Sequence, residues 1–405
     1  MENHSLSYPK EVTSKEKILL LTAIIFVSFN LRPAITAVGP LIGSIRDDFG
    51  LSNGLAGLIT TLPLLSFALL SFIAPKLGYR FGNETMILVG LLTLITGIMI
   101  RSTGVTFLLF TGTALVGVGI ALANVLLPSI IKSRYPENIG LITGIYTTAM
   151  CIFAAIGSGL SIPLSEGLHL GWQKSLLAWT IIAFIGLFLW YQQFHRDFYS
   201  NSLQNSTLPK TTIWKSKIAW QVTLFMGLQS FLFYCLITWL PEILHDKGLT
   251  ISQAGWMVAM LQVAGLPVTF LTPILADRFR NQRTIVVVIG ILYLSGLTGI
   301  IVSSHSFALT ISSILLGLGQ GASISLALTF IGLRTTNPRQ AAELSGMAQS
   351  IGYLLAASGP ILLGVILDFT HSGTAPLILL TIVSVIMVMM GLGAGKNETI
   401  DHDRL

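Results

Sequence analysis

Charged residues are scarce in this chain. Asp, Glu, Lys and Arg make up 10% of its 405 residues, 23 basic and 17 acidic. A water-soluble domain carries roughly 25% charge. The shortfall excludes an ordinary cytosolic enzyme. Cysteine is nearly missing as well: Cys151 and Cys235 both fall in apolar stretches, so neither a disulfide framework nor a cysteine metal site is on offer. No HExxH, GxSxG or phosphate-loop pattern occurs. No polar cluster suited to an integral-membrane enzyme is visible either, so no catalytic residue, metal or cofactor is expected. The 39 glycines show no period, which excludes a collagen-like chain. Residues 1–17 lack the short apolar stretch and small-residue cleavage site of a signal peptide.

What the chain has in abundance is hydrophobicity, at 53% of residues and a mean hydropathy of +0.79. These values describe a polytopic membrane protein embedded in a lipid bilayer. The net charge of +6 then reads as topology and not as nucleic-acid binding. Twelve apolar runs are long enough to cross ~30 Å at about 1.5 Å per residue. Six fall near 18–44, 52–75, 85–101, 105–131, 139–163 and 172–194; six more near 218–243, 251–275, 284–302, 307–333, 341–366 and 374–394. Each must be helical, because the hydrocarbon core offers backbone groups no water. The expected architecture is all-α: twelve transmembrane helices in two six-helix, pseudo-symmetric bundles. A tail at 1–17, bundles at 18–194 and 218–394, a polar linker at 195–217 and a tail at 395–405 make up the chain.

The few charges map the topology. With the N-terminus inside, inner segments hold eighteen Lys and Arg and outer ones only Arg46, Arg101, Lys174 and Lys247. That asymmetry predicts cytoplasmic N- and C-termini in a cell membrane, bacterial inner or plasma membrane. The halves also repeat. Asp48-x-Gly50-Leu51 recurs as Asp246-x-Gly248-Leu249, and Pro75, Arg80 and Phe81 recur as Pro273, Arg278 and Phe279, all at an offset of 198. Gly117 and Gly119 pair with Gly317 and Gly319 at 200, and Ala154 and Gly157 with Ala356 and Gly359 at 202. Two parallel repeats of this kind place a substrate site at the bilayer midplane between them.

Twelve helices, the middle linker and the duplication resemble the major facilitator superfamily. So does the loop after the second helix of each half, whose family pattern is roughly G-x-x-x-D-R-x-G-R-[RK]. Ala276-Asp277-Arg278-Phe279-Arg280 follows it, with Arg280 in place of the later Gly. Tyr79-Arg80-Phe81-Gly82 keeps the Arg and Gly but has Tyr79 where the Asp belongs. The resemblance implies gating roles for Asp277, Arg278 and Arg80. Asn30-Leu31-Arg32-Pro33-Ala34 and Gly39-Pro40-Leu41 look like the cyanate and 2-nitroimidazole transporter family within that superfamily.

Arg32 lies 15 residues after Lys17 and 14 before Arg46, near the middle of the first span. Burying an Arg there costs about 2.5–3.5 kcal/mol on insertion scales, so it should face a polar cavity. Pro33 removes the helical bond to the Phe29 carbonyl and should bend the helix beside the charge. Arg32 is thus the expected contact for an anionic or polarised small-molecule substrate, against the plainer alternative of an Arg tied to neighbouring carbonyls. The equivalent position in the second half is Ser230, so one cation is present and a small monoanion or polarised neutral solute fits better than a dianion. Asn30, Asn124, Tyr146, Gln229, Gln262, Gln320, Gln349 and Tyr353 are further candidates for the site. For each, ordinary interhelical hydrogen bonding is the competing role. All 17 acids sit away from the membrane centre, so proton coupling stays open. The expected function is secondary active transport by alternating access. A multidrug-type exporter of apolar or nitroaromatic compounds is the first alternative, and a non-transporting membrane sensor the second.

Overall fold

The computed structural model describes residues 14–51, 53–197, 213–370 and 372–400, and statements of absence below refer to these. Most of the expected N-terminal tail, residues 198–212 of the linker and residues 401–405 lie outside them. The helices of the first half are α1 (Ser14–Ser28), α2 (Pro33–Thr36), α3 (Ile42–Phe49), α4 (Asn53–Phe81), α5 (Asn83–Arg101), α6 (Thr106–Arg134), α7 (Ile139–Ile162), α8 (Gly171–Leu177) and α9 (Thr180–Asp197). The second half contains α10 (Lys217–Asp246), α11 (Ile251–Arg278), α12 (Arg283–Val302), α13 (Ser306–Leu333), α14 (Pro338–Thr370) and α15 (Thr374–Ala394). Twelve spans are long and apolar enough to cross a membrane, α1–α2 forming the first and α8–α9 the sixth.

The first span departs from a continuous helix where Pro33 stands. The last regular bond runs from the Phe29 N–H to the Ile25 carbonyl, after which Asn30 and Leu31 make tighter bonds to the carbonyls of Val27 and Ser28. Arg32 begins the α2 fragment with φ −124° and ψ −39°. Elsewhere proline is tolerated: Pro63 and Pro75 lie inside α4, Pro128 in α6, Pro267 and Pro273 in α11, and Pro360 in α14.

Glycine sets the closest helix crossings. A Cβ on Gly117 of α6 would stand 2.8 Å from the Pro63 backbone of α4. A Cβ on its repeat partner Gly317 in α13 would run into the Leu261 backbone of α11. The same device joins the halves. A Cβ on Gly144 of α7 would lie 2.8 Å from the Phe270 carbonyl of α11, and one on Gly346 of α14 would lie 2.6 Å from the Ser71 carbonyl of α4. Gly144 and Gly346 are themselves repeat partners at the offset of 202. With little hydrophobic force acting between helices in lipid, such close van der Waals packing holds them together. Apolar side chains such as Leu69, Phe107 and Val302 point outward, as lipid-facing positions should. Trp256 is exposed like a residue of an interfacial belt, whereas Trp239 is not. Its indole donates to the Pro360 carbonyl at 2.8 Å between α10 and α14.

Candidate functional site

A small cavity lies between the halves. Arg32, at the break of the first span, lines it with Asn124 of α6, Met150 of α7, five residues of α10, Ile324 and Leu328 of α13, and Gln349 and Tyr353 of α14. The α10 contribution is Met226, Gln229, Ser230, Phe233 and Tyr234. Its volume is about 20 Å³, where about 10–15 Å³ holds one water molecule. The Arg32 guanidinium stands over the Phe233 ring, its Cζ 5.3 Å from the centroid. That contact spans the two halves, and a contact of this kind stabilises a partly buried cation by about 0.5–2 kcal/mol. No carboxylate among the described residues pairs with Arg32.

The remaining walls are polar at a few points and aromatic or aliphatic between them. Gln349 Nε2 donates to the Asn124 carbonyl at 3.0 Å, across the halves, and to Ser345 Oγ at 2.8 Å. Gln229 Nε2 donates to Ser230 Oγ at 2.7 Å, and its buried Oε1 has no partner. The Tyr353 ring stacks on Phe67 of α4, centroids 4.8 Å apart. The charge-bearing wall therefore comes from the first half and most of the amide and aromatic wall from the second.

Five of the nine residues read from the sequence thus meet at one cavity: Arg32, Asn124, Gln229, Gln349 and Tyr353. The other four do not line it. Asn30 Nδ2 donates to the Phe26 carbonyl at 2.7 Å and reaches the Ile182 carbonyl of α9 at 3.4 Å, so its amide serves packing within the first half. Gln262 is exposed on α11. Tyr146 is buried one turn before Met150 on α7. Gln320 is buried one turn before Ile324 on α13, and neither atom of its amide has a partner. Phe233, Tyr234, Ile324 and Leu328 escaped notice because aromatic and aliphatic residues are the common stock of every span. Spacing is their one signal: Phe233 and Tyr234 stand three and four residues after Ser230, and Ile324 and Leu328 four and eight after Gln320, each pair on one helix face.

Further contacts between the halves gather at the end of the molecule where α1 begins, here the tail end. Asp277 Oδ2 accepts from the Gly140 N–H at the start of α7, at 3.2 Å. Lys132 Nζ donates to the Gly332 carbonyl at 3.0 Å and Ser129 Oγ to the Pro338 carbonyl at 2.8 Å. The Arg339 guanidinium lies 4.4 Å from the Tyr79 ring centroid, so the residue standing in the acid's place makes a cross-half contact of its own. Arg278 is exposed, and exposed Arg80 lies over its neighbour Phe81. Nearby, the Tyr135 hydroxyl donates to the Lys17 carbonyl, and burial pushes its phenol up to about 12, so that donor keeps its proton at physiological pH.

The sequence profile of the Major Facilitator Superfamily matches residues 18–360 and 222–399. The chain belongs to the major facilitator superfamily. It is a secondary transporter and not an enzyme. Over 382 residues it is 54% identical to the uncharacterized transporter YycB of Bacillus subtilis, covering 94% of each chain. It is 40% identical to the 2-nitroimidazole transporter of Escherichia coli, over 96% of this chain and 98% of that one. Identity to the cyanate transport protein CynX of Escherichia coli is 26%, over 86% and 89%. The fold is that of the proton:xylose symporter XylE bound to 6-bromo-6-deoxy-D-glucose, with a TM-score of 0.76 at 13% identity, covering 96% of this chain and 99% of that one.

Proposed function

We propose that the transporter carries a small anion or strongly polarised planar solute, cyanate-like or nitro-heterocycle-like, by alternating access around Arg32. The observation that carries this reading is the lone guanidinium in the cavity, without a carboxylate partner among the described residues. A desolvated cation held without a counter-ion is matched by an anionic or electron-rich guest, which its planar fork can bond at two points. The small cavity favours a guest of few atoms, and the Phe233, Tyr234 and Tyr353 rings suit a flat one. Relatives named for 2-nitroimidazole and cyanate fit the same chemistry.

The moving bodies are residues 18–194 and 218–394, joined by the 195–217 linker, with both termini in the cytoplasm of a bacterial cell. The tail end is then the cytoplasmic gate. Asp277 fastens it to α7, while Arg278 and Arg80 contribute positive charge at its rim. Proton coupling, if used, runs through the solute or a group near a helix end.

The test is substrate-induced stabilisation and uptake into proteoliposomes, with cyanate, nitrite and nitroimidazoles as probes. Hydrogen bonds to a charged group contribute about 1.5–3 kcal/mol, so Arg32→Ala should weaken binding by about 10- to 150-fold. Arg32→Lys should recover little, because the fork is lost. Wild-type kinetics in Arg32→Ala would remove Arg32 from the mechanism. Transport of a bulky apolar dye that persists in Arg32→Ala would favour a multidrug-type exporter.

A further inference from the structure

Arg101 was counted from sequence among the outer topological charges, yet it is 1% exposed at the end of α5. Its Nη1 donates to the Ala34 carbonyl at 2.6 Å. Its Nε and Nη2 are buried and have no partner. A cation so placed is expensive, and an apolar residue of similar volume is often as stable or more so. Its location therefore calls for a reason other than stability.

The reason lies in what Ala34 belongs to. It is the second residue of α2, the fragment that Arg32 begins. A four-residue fragment cannot hold itself in place, since nucleating a helical turn is unfavourable. Its carbonyls are also poorly served from within: the Val38 N–H bonds to Ile35 and not to Ala34. Arg101 supplies the missing donor, and a positive charge past the last turn of a helix is favourable. Three contacts tie the same fragment to α7. Thr36 Oγ1 donates to the Ala154 carbonyl at 2.9 Å, Ser161 Oγ donates to the Ala37 carbonyl at 2.8 Å, and a Cβ on Gly157 would stand 3.0 Å from Pro33 Cα. The fragment is thus clamped between α7 and the end of α5. Gly112 of α6 gives Arg101 its position: a Cβ there would lie 2.8 Å from Arg101 Cβ.

We infer that Arg101 is a positioning residue for the substrate site: through the Ala34 carbonyl it fixes α2, and with it the orientation of the Arg32 guanidinium. This rests on the reading of Arg32 as the substrate-binding cation.

Two measurements on the full chain test it. Cyanate and nitroimidazole transport gives KM and kcat, and hydrogen–deuterium exchange follows the amides of residues 34–38. In Arg101→Met, KM should rise on the order of tenfold with kcat less affected, as loss of an outer-layer partner does at metal sites. Exchange at residues 34–38 should quicken. Arg101→Lys retains one donor for Ala34 and should restore both. Gly112→Ala leaves the guanidinium intact but displaces it, and should reproduce the exchange change if Arg101→Met fails to insert. A lowered Tm with wild-type KM and unchanged exchange would overturn the inference. Wild-type transport in Arg32→Ala would instead strike the reading of Arg32, while the exchange measurement would still report on the clamp.

Discussion

A single polar side chain in a membrane span has two employments, contact with solute or bonding to another helix, and composition does not separate them. Helical rotation does. Asn30 and Arg32 are two residues apart, about 200° around a helix. Near the break they still diverge, Asn30 toward the Ile182 carbonyl and Arg32 toward Phe233. Arg32, Gln229, Gln349 and Tyr353 were visible as polar residues deep in apolar runs, but Gln262 and Gln320 carry the same signal and do not line the cavity. Tyr353 offers a sharper distinction, because its ring and hydroxyl face different tasks. The ring stacks on Phe67 across the halves, a pairing worth about 0.5–1.5 kcal/mol beyond its burial. Tyr353→Phe should preserve Tm and raise KM severalfold if the hydroxyl serves the solute. Tyr353→Ala should lower Tm as well. Thermal unfolding and uptake on the same preparations separate the two, and an unchanged KM in Tyr353→Phe would confine Tyr353 to packing.

The helices themselves were almost fully readable, since a bilayer leaves the backbone no other option. Their interruptions were readable only in part. Pro33 announced the break in the first span, but nothing in the pattern announced the turn that divides α8 from α9 at residues 178–179. The glycine repeat pairs were visible in the sequence, and the helices they pack against came only with the structure. Gly317 shows why the residue type is required there. A Cβ would meet the Leu261 backbone, which cannot swing aside as a flexible side chain would. Overpacking of this kind costs about 1–3 kcal/mol. Gly317→Val should therefore lower Tm and part α13 from α11, while a substitution at Gly159, which has open space around it, should leave Tm unchanged. Equal thermal stability of the two variants would show that α11 gives way easily.

Across the whole molecule, the repeat places matching glycines, Gly144 and Gly346, where helices of opposite halves meet. These contacts differ from that of Gly317 because they join bodies proposed to separate during transport. A side chain at Gly346 would collide with Ser71 and Pro75 of α4 in the structure described here, where the tail end is shut, and the proposed parting of the halves there would relieve the collision. It therefore penalises one conformation and not the fold. A penalty of about 1–3 kcal/mol on one of two states changes their ratio by roughly 5- to 150-fold. Gly346→Leu should accordingly drive the transporter toward opening at the tail end. The reporter is a cysteine in place of Gln349, at the cavity wall, in a background with Cys151 and Cys235 changed to Ser. A membrane-impermeant thiol reagent applied to inside-out vesicles should label it slowly in the parent and much faster with Gly346→Leu. In right-side-out vesicles the order should reverse. Equal labelling in both backgrounds would mean that the Gly346 contact persists in every state. Labelling with the two vesicle types exchanged would place the termini outside the cell.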